Sequence, residues 1–412
     1  MKRITILISL TLALTVSVFA GSITGFTTGN LVVLRVGNGA AALSSAGTPT
    51  FLEEITTTGT SVQTIANPTS GVNMISNSGT AGSEGALSLS PDGTYITFAG
   101  YNSAVGTASV KGTTSSATNR IILSYDKNLN VTSLLSASAF SGDNIRSAVR
   151  NGSDYWGGGN GSTGTNGVQY LGTSTASQVS STVTNVRVVN IFNGQLYFST
   201  GSGTKGIYKV GTGLPTTTGE TSVAEISIAS TGSPYAFSFN STSNICYIAD
   251  DRAIASGGGI MKYTKTDGVW SLTYTLASDT KGAVGLTVDW SGTNPIIYAT
   301  NTDNKVLKII DEGATSIASV IATAPTNTAY RGIAFAPSQN PSTKLGLTKS
   351  NIWSISNNTL SFNELPTTNI EVYTLTGSKA AVYEPAQSID LNLSKGVYIL
   401  KVNNQTSKIM LK

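Results

Sequence analysis

Three arginines hold similar places in this sequence, each at the start of a short apolar run. They are Arg146 in "NIRSAV", Arg187 in "NVRVVN" and Arg331 in "YRGIAF". Only 11% of the residues are charged, so three guanidinium groups in one kind of position are informative. A guanidinium donates paired hydrogen bonds to a carboxylate or a sulfate. Corresponding positions elsewhere in the chain add an acid, Glu84, and a tyrosine, Tyr235, and a second tyrosine, Tyr330, directly precedes Arg331.

This set of six residues has two interpretations. In the first, the three arginines bind an anionic or polyhydroxylated ligand, and the two tyrosines add stacking surface or hydroxyl partners. In the second, the guanidinium groups satisfy backbone carbonyls and pair with Glu84, so that they hold neighbouring elements in register. The sequence leaves both interpretations open.

Residues for nucleophilic or metal-dependent chemistry are scarce. The chain has no histidine, which excludes Ser-His-Asp and Cys-His mechanisms and histidine-based zinc sites. The one cysteine, Cys246, cannot form an internal disulfide and lies in an apolar run, so we expect it to be buried. Asp250, Asp251 and Asp303 are expected to shape turns, because no complete calcium-binding loop surrounds them. We therefore predict neither a metal site nor a cofactor.

The elements that position these residues are short strands arranged in a repeat. Five copies of a strand, turn and strand pattern are present: 87–102, 145–160, 186–202, 235–251 and 285–303. A third strand follows each copy, and usually a fourth. Four antiparallel strands recurring roughly every 40–60 residues indicate the blades of a β-propeller. In such a ring the first strands surround a channel, so the six residues would meet at one mouth.

The two ends of this region predict how the ring closes. The stretch "YRGIAFAP" at 330–337 reads as a first strand with nothing after it to complete a blade. Segments 30–38, 50–56 and 61–67 read as the three missing strands of one blade. We therefore predict an all-β chain whose propeller spans 21–337 and has six blades, one built from both ends. A seventh blade is the alternative if 104–140 contains a further sheet.

The first twenty residues have the features of an export signal. Lys2 and Arg3 precede an uncharged run, and "VFA" supplies small residues before a cleavage point. Removal of 1–20 would leave 23 basic and 21 acidic residues, a balance that does not favour nucleic acid as a partner. No later segment is apolar enough for a spanning helix, so we expect no integral membrane span after signal removal.

The C-terminal part is predicted to be a separate small domain. Residues 338–350 read as a polar linker, and 351–412 read as an antiparallel β-sandwich. The stretches "IEVYTLTGSK", "LSKGVYILKV" and "SKIMLK" resemble the type IX secretion sorting domain of many Bacteroidota proteins. In this resemblance the turn glycine, the "GxY" pair and the basic ending correspond to Gly377, to Gly396 and Tyr398, and to Lys408 and Lys412.

The resemblance implies a cellular location rather than an activity. It implies the type IX secretion machinery as a partner and a sorting domain that is normally removed. The remainder would be secreted or tethered at the outer-membrane cell surface, after Sec-type export to the periplasm. A generic small sandwich used for interaction is the alternative.

The propeller part also resembles a set of secreted bacterial proteins of unassigned function, through stretches such as "GNLVVLRVG", "SEGALSLS" and "GGIMKY". That resemblance supplies no activity. We predict a binding module for anionic glycans or a protein partner, with an enzyme as the less favoured interpretation. The alternatives are a lyase acting on uronate-containing glycans with Tyr235 or Tyr330 as base, another propeller enzyme, and a purely structural surface protein.

Overall fold

The computed structural model describes residues 24–172, 175–339, 353–356, 358–362, 365–366, 368–374, 377–402 and 405–411. The predicted export signal at 1–20 and residues 340–350 of the predicted linker lie outside the described residues. The chain divides into two compact units, Met1–Gly346 and Leu347–Lys412. No helix in the described part of the chain is long and apolar enough to cross a bilayer.

The first unit is built from short strands. In its first half the strands are β1 (Leu31–Val36), β2 (Gly47–Thr48), β3 (Thr50–Ile55), β4 (Ser61–Ala66), β5 (Asn77–Ser78), β6 (Ser88–Leu89), β7 (Tyr95–Tyr101), β8 (Arg120–Asp126), β9 (Val131–Ser136), β10 (Ile145–Asn151), β11 (Asp154–Gly159), β12 (Gly167–Tyr170) and β13 (Ser177–Ser180). In its second half they are β14 (Val186–Phe192), β15 (Gln195–Thr200), β16 (Gly206–Val210), β17 (Ser222–Ser227), β18 (Pro234–Phe239), β19 (Ile245–Asp250), β20 (Gly259–Thr266), β21 (Val269–Leu276), β22 (Ala283–Asp289), β23 (Ile296–Asn301), β24 (Lys305–Ile310), β25 (Ser319–Thr323) and β26 (Ala329–Phe335).

Six four-stranded antiparallel sheets form the blades of this unit. Blades 1 to 5 are β6-β7-β8-β9, β10-β11-β12-β13, β14-β15-β16-β17, β18-β19-β20-β21 and β22-β23-β24-β25, and blade 6 is β26-β1-β3-β4. The first strand of each blade contacts the first strand of the next, and β26 contacts β6. The first strands therefore close a ring, and the predicted six-bladed β-propeller is confirmed.

Blade 6 joins the two ends of the unit, as the sequence predicts. Strand β1 pairs with β26 so that Leu31 faces Phe335 and Val33 faces Ile333, and β3 pairs with the other edge of β1. The segment 104–140, which is described throughout, supplies one 3₁₀ turn at Val110–Gly112 and the strands β8 and β9. It holds no further sheet, so the seven-bladed alternative is wrong.

Apolar layers between neighbouring blades hold the ring together. Between blades 6 and 1, Leu34 packs with Phe98 and Ile121, and all three side chains are fully buried. Every residue of β1 is buried, because each face of the strand is covered by a neighbouring blade. Burial of a side chain of this size contributes roughly 1.5–3 kcal/mol. Cys246 lies in the layer between blades 3 and 4 and is fully buried, as expected.

The second unit contains two antiparallel sheets. Its strands are β27 (Trp353–Ser356), β28 (Thr359–Phe362), β29 (Ile370–Thr374), β30 (Lys379–Tyr383), β31 (Ser388–Asp390), β32 (Gly396–Val402) and β33 (Gln405–Leu411). One sheet has the order β27-β28-β31 and the other the order β30-β29-β32-β33. Leu360 of the first sheet shares one buried apolar cluster with Ile370 and Leu400 of the second, so the unit is the predicted small sandwich.

Candidate functional site

The first strand of every blade from 2 to 6 carries a register irregularity near its start. In β10 the pairing with β11 skips Arg146, and in β14 the pairing with β15 skips Arg187 and the residue after it. The same irregularity falls at Tyr235 in β18, at Val284 in β22 and at Arg331 in β26. A β-bulge leaves an extra residue unpaired and re-aims its side chain. These irregularities therefore explain how arginines fit into strands whose neighbouring residues are buried.

Arg146 links blade 2 to blade 3. Its Nε donates a hydrogen bond to Asn144 Oδ1 at 2.9 Å, and its Nη1 donates to the backbone carbonyl of Val186 at 3.0 Å. The same Nη1 donates to the side-chain oxygen of Asn185. Burial lowers the pKa of Arg146, whereas the nearby charge of Asp143 raises it. The guanidinium remains cationic at any physiological pH, because its ordinary pKa is far above that range.

Arg187 makes the corresponding link from blade 3 to blade 4. Its Nη1 donates to Ser233 Oγ at 2.8 Å and to the carbonyl oxygen of Pro234 at 3.1 Å. The guanidinium carbon lies 4.1 Å from the centre of the Tyr235 ring, which is the geometry of a cation–π contact. The ring therefore fixes the plane of this guanidinium group.

Both of these arginines keep hydrogen-bond donors that no described residue uses. Among the described residues, no group accepts from Nη2 of Arg146, or from Nε and Nη2 of Arg187. Both side chains are partly exposed, and none of these nitrogen atoms is both buried and unpaired. We call Arg146, Arg187 and Tyr235 the basic cluster. Its unused donors can reach a ligand from solvent.

Arg331 lies in a more enclosed position. Its Nη2 donates to the carbonyl of Gly79 at 2.9 Å, and its Nη1 lies 3.5 Å from where a Cβ atom of residue 82 would stand. Its Nε is buried and has no hydrogen-bond partner among the described residues. The loop 79–85 thus surrounds this side chain, and we assign Arg331 mainly to anchoring that loop.

Glu84, from the same loop, is buried. Its Oε2 accepts a hydrogen bond from the backbone N–H of Ser78 at 2.8 Å, and its Oε1 accepts one from the hydroxyl of Tyr101 at 2.7 Å. Burial raises the pKa of Glu84 from 4.5 to about 7, although these hydrogen bonds and the charge of Arg331 lower it. Burial therefore moves the titration of this carboxyl group toward neutral pH.

The channel between the first strands is narrow where these groups meet. Glu84, Tyr235 and Arg331 line it, together with apolar residues such as Val188 and Val284. The free space has room for about one water molecule. The channel therefore has no room for a group larger than a few atoms.

Tyr330 does not belong to the mouth, so its place in the predicted set of site residues is corrected. Its hydroxyl donates to Glu53 Oε2 at 2.8 Å, and its ring packs with Val33 and Ile55 in an apolar layer. Successive residues of a strand point to opposite faces, so the neighbour of a mouth residue points into the layer. The pKa of Tyr330 is raised, chiefly by burial.

The sequence did not single out the polar residues that fix the mouth geometry. Asn144 joins Ser83 to Arg146, since its Nδ2 donates to Ser83 Oγ at 3.0 Å. Asn185 accepts a hydrogen bond from Arg146, and Ser233 accepts one from Arg187. The only available signal was that each lies two residues before a residue of the predicted set.

Two of the three aspartates considered as calcium ligands, Asp250 and Asp303, are engaged with basic groups. Asp250 binds the guanidinium of Arg252, with Oδ1 2.8 Å from Nε, and Asp303 lies 3.1 Å from the Nζ of Lys305. Within the described ranges, no group of three or more acidic, cysteine or histidine residues could hold a metal ion.

Three of the five residues from the sorting-domain resemblance can be placed in full. Gly377 has a φ of 86° in the turn between β29 and β30, a conformation that favours glycine. Gly396 begins β32, and the hydroxyl of Tyr398 donates to the carbonyl of Ser394 at 3.0 Å. Lys408 lies in β33 opposite Ile399, but its side chain is not described. Lys412 lies outside the described residues.

The fold and the site define a six-bladed β-propeller with a basic cluster at one mouth of a narrow channel. No family model matches the chain, and no curated protein matches it. Among solved structures, the chain is similar to a proposed 6-phosphogluconolactonase of Bacteroides uniformis, with 10% identity, 92% of this chain and 99% of that chain covered, and a TM-score of 0.41.

Two further structures match to the same degree. A proposed 6-phosphogluconolactonase of Bacteroides fragilis has 12% identity over 92% of this chain and 98% of its own, with a TM-score of 0.41. A periplasmic gluconolactonase of Pseudomonas aeruginosa has 11% identity over 93% of this chain and all of its own, with a TM-score of 0.41. Likeness at this level does not indicate the activity of this chain.

Proposed function

We propose that this protein is an exported β-propeller binding module whose basic cluster binds the carboxylate or sulfate groups of an anionic glycan. One observation carries the proposal: the bulges of two neighbouring blades present Arg146 and Arg187 side by side, with donors that no described residue uses. Bidentate, charge-assisted hydrogen bonds to carboxylate or sulfate are what such groups form most readily.

The shape of the mouth supports binding across a surface. Because the channel has room for about one water molecule, a sugar ring cannot enter it. A chain of sugars lying over blades 2, 3 and 4 would instead place successive acidic groups near successive arginines. An acidic protein segment is the other partner that this surface could take, since its carboxylates offer the same chemistry.

Lyase chemistry is less well supported by the same geometry. A lyase needs a base to remove a proton, and Tyr330 is held in an apolar layer by Glu53. Tyr235 remains at the mouth, but burial raises its pKa, so its phenolate is harder to form. The groups that bind an anion are in place, whereas neither of the two tyrosines predicted as the base is suited to that role.

A calorimetric titration tests the binding proposal directly. Full-length protein is titrated with hexagalacturonate and with a neutral hexasaccharide at low and physiological salt. We expect binding of the acidic sugar only, weakened by salt because exposed charges are screened. In the double variant R146Q/R187Q the affinity should fall by at least roughly tenfold, the value of one charge-assisted hydrogen bond.

The control variant is Lys127→Gln, which removes one positive charge from the turn after β8. That turn lies at the opposite face of the ring, because the third strand of a blade runs parallel to the first and ends at its far side. The control should bind like the wild type. Equal binding of the neutral sugar, or full affinity in a folded R146Q/R187Q variant, would refute the proposal.

We also propose that residues 351–412 act as a type IX sorting domain and that the propeller is displayed at or released from the cell surface. The support is the resemblance of three sequence stretches, together with a compact second unit that folds around its own core. In a Bacteroidota host with this machinery, the full chain should reach the outer surface, whereas a chain ending at Gln339 should remain in the periplasm. Surface display of the shortened chain would contradict this.

A further inference from the structure

Glu84 is a buried acid set beside a site for anions. Its carboxyl group is fixed by the N–H of Ser78 and the hydroxyl of Tyr101, and it lines the narrow channel with Tyr235 and Arg331. It forms no ion pair within 4 Å with any described residue. No single cation therefore neutralises the charge of Glu84, and this charge acts on the other groups at the mouth.

A chain of hydrogen bonds leads from this loop to the basic cluster. Ser83, the residue before Glu84, accepts a hydrogen bond from Asn144 Nδ2 at 3.0 Å. The Oδ1 of the same asparagine accepts from Nε of Arg146 at 2.9 Å. The loop that carries the buried acid thus helps to orient one of the two arginines that face the ligand.

The charged and titratable groups around Glu84 come from five strands and from the turn before β10. They are Tyr101 of β7, Arg120 of β8, Asp143 before β10, Arg146 of β10, Tyr235 of β18 and Arg331 of β26. Three of these are permanent cations, and the tyrosines stay neutral because burial raises the pKa of Tyr101 and of Tyr235. Burial raises the pKa of Glu84 to about 7, so this carboxyl group changes its charge near neutral pH.

We propose that the mouth takes up a proton at Glu84 when it binds its anionic ligand, so that acidic glycans bind more tightly as the pH falls. This proposal rests on the proposed function. An ionised Glu84 repels an anion at the mouth and offsets the positive charge of the arginines. A neutral Glu84 leaves that positive charge uncompensated. At an effective dielectric constant of about 20, a unit charge about 10 Å from the ligand changes the affinity for that ligand on the order of tenfold. By linkage, the ligand must favour protonation by the same factor.

The test repeats the hexagalacturonate titration at about pH 5.5, 7 and 8.5, where the sugar carboxylates remain ionised. Wild-type affinity should fall roughly tenfold from the lowest to the highest pH. Glu84→Gln, which keeps the shape but cannot ionise, should bind tightly at all three values. Glu312→Gln is the matched control: it removes the same charge from an exposed residue after β24, on the far face, and should follow the wild type.

A second measurement on the unaltered protein keeps the proposal testable if Glu84→Gln does not fold. Titration in buffers of different ionisation enthalpy counts the protons that accompany binding. We expect uptake of a fraction of a proton at about pH 7.5 and none at about pH 5. Binding without proton uptake and with equal affinity at all pH values would overturn the linkage and leave the proposed function intact. No binding of hexagalacturonate at any pH would overturn both.

Discussion

Gly201 leaves the space that the guanidinium group of Arg187 occupies. A Cβ atom on residue 201 would lie 2.7 Å from both Cζ and Nη2 of Arg187, closer than such atoms approach. The backbone of Gly201 does not have a positive φ, so alanine would fit the local conformation. The substitution should therefore move the guanidinium off the Tyr235 ring without straining the strand.

We predict that Gly201→Ala weakens hexagalacturonate binding by roughly 3- to 10-fold, because the cation–π contact that orients Arg187 is worth about 1 kcal/mol. Its melting temperature should change little, since a flexible side chain yields more easily than backbone. Titration and thermal denaturation check the two parts. Gly112→Ala is the control, because nothing lies within 4 Å of the added atom. Wild-type affinity in Gly201→Ala would mean that the pose of Arg187 is irrelevant to binding.

Glu84 also predicts how stability depends on pH. Its pKa is about 7 when folded and near 4.5 when exposed, so between these values the folded protein holds a proton that the unfolded chain has lost. Its contribution is therefore most favourable below about pH 4.5 and declines as the pH rises through 7, by up to about 3 kcal/mol in total.

Urea denaturation of wild type and Glu84→Gln at about pH 5 and pH 8 measures this effect. The loss of unfolding free energy between the two pH values should be larger in the wild type, because the amide that replaces the carboxyl group in Glu84→Gln cannot ionise. Other titrating groups are common to both proteins and cancel in the comparison. Identical pH dependence in the two proteins would show that Glu84 does not carry the shifted pKa.

Composition and position were enough to predict the three arginines, Glu84 and Tyr235 as one group, because the repeat aligns the starts of the first strands. They were not enough to predict which face Tyr330 takes. That depends on a bulge that inserts residues between the pairs of β26 and β1, and alternation of apolar residues does not reveal a bulge. The partners Asn144 and Asn185 are equally unmarked in the sequence.

Among the elements, blade 6 is the one on which the ring depends. Among the six blades in the described part of the chain, it alone has strands from both ends of the propeller, and its pairing joins residue 31 to residue 335. Its first strand was predictable because "YRGIAFAP" has the pattern of the other first strands and lacks a following hairpin. Strand β6, in contrast, is only two residues long, which the run "ALSLS" did not indicate.

Ile333→Ala tests the importance of this closing blade. The side chain is 1% exposed and packs in the layer between blades 5 and 6, so truncation should cost about 2–5 kcal/mol of unfolding free energy. Val320→Ala, on the outermost strand of blade 5 and 46% exposed, should change it by less than about 0.5 kcal/mol. Urea denaturation compares the two. A similar, small cost for both would mean that blade 6 does not limit the stability of the ring.

At the scale of the whole molecule, the ring explains why the basic cluster forms at all. Arg146, Arg187 and Tyr235 come from three consecutive blades, roughly 40–50 residues apart in sequence, and only the ring brings their bulges to one mouth. The repeat in the sequence predicts that convergence. The sequence could not predict how wide the channel is, because this depends on side-chain packing around six strands, so the choice between a deep pocket and a surface site needed the structure.

The most direct measurement is a crystal structure of the full chain with hexagalacturonate at about pH 5.5. We expect sugar carboxylates within about 2.7–2.9 Å of the free guanidinium nitrogens of Arg146 and Arg187, with the sugar chain across blades 2 to 4 and the channel below it unfilled by sugar. A ligand seated on another face of the propeller, with the basic cluster exposed to solvent, would contradict the assignment of this mouth as the binding site.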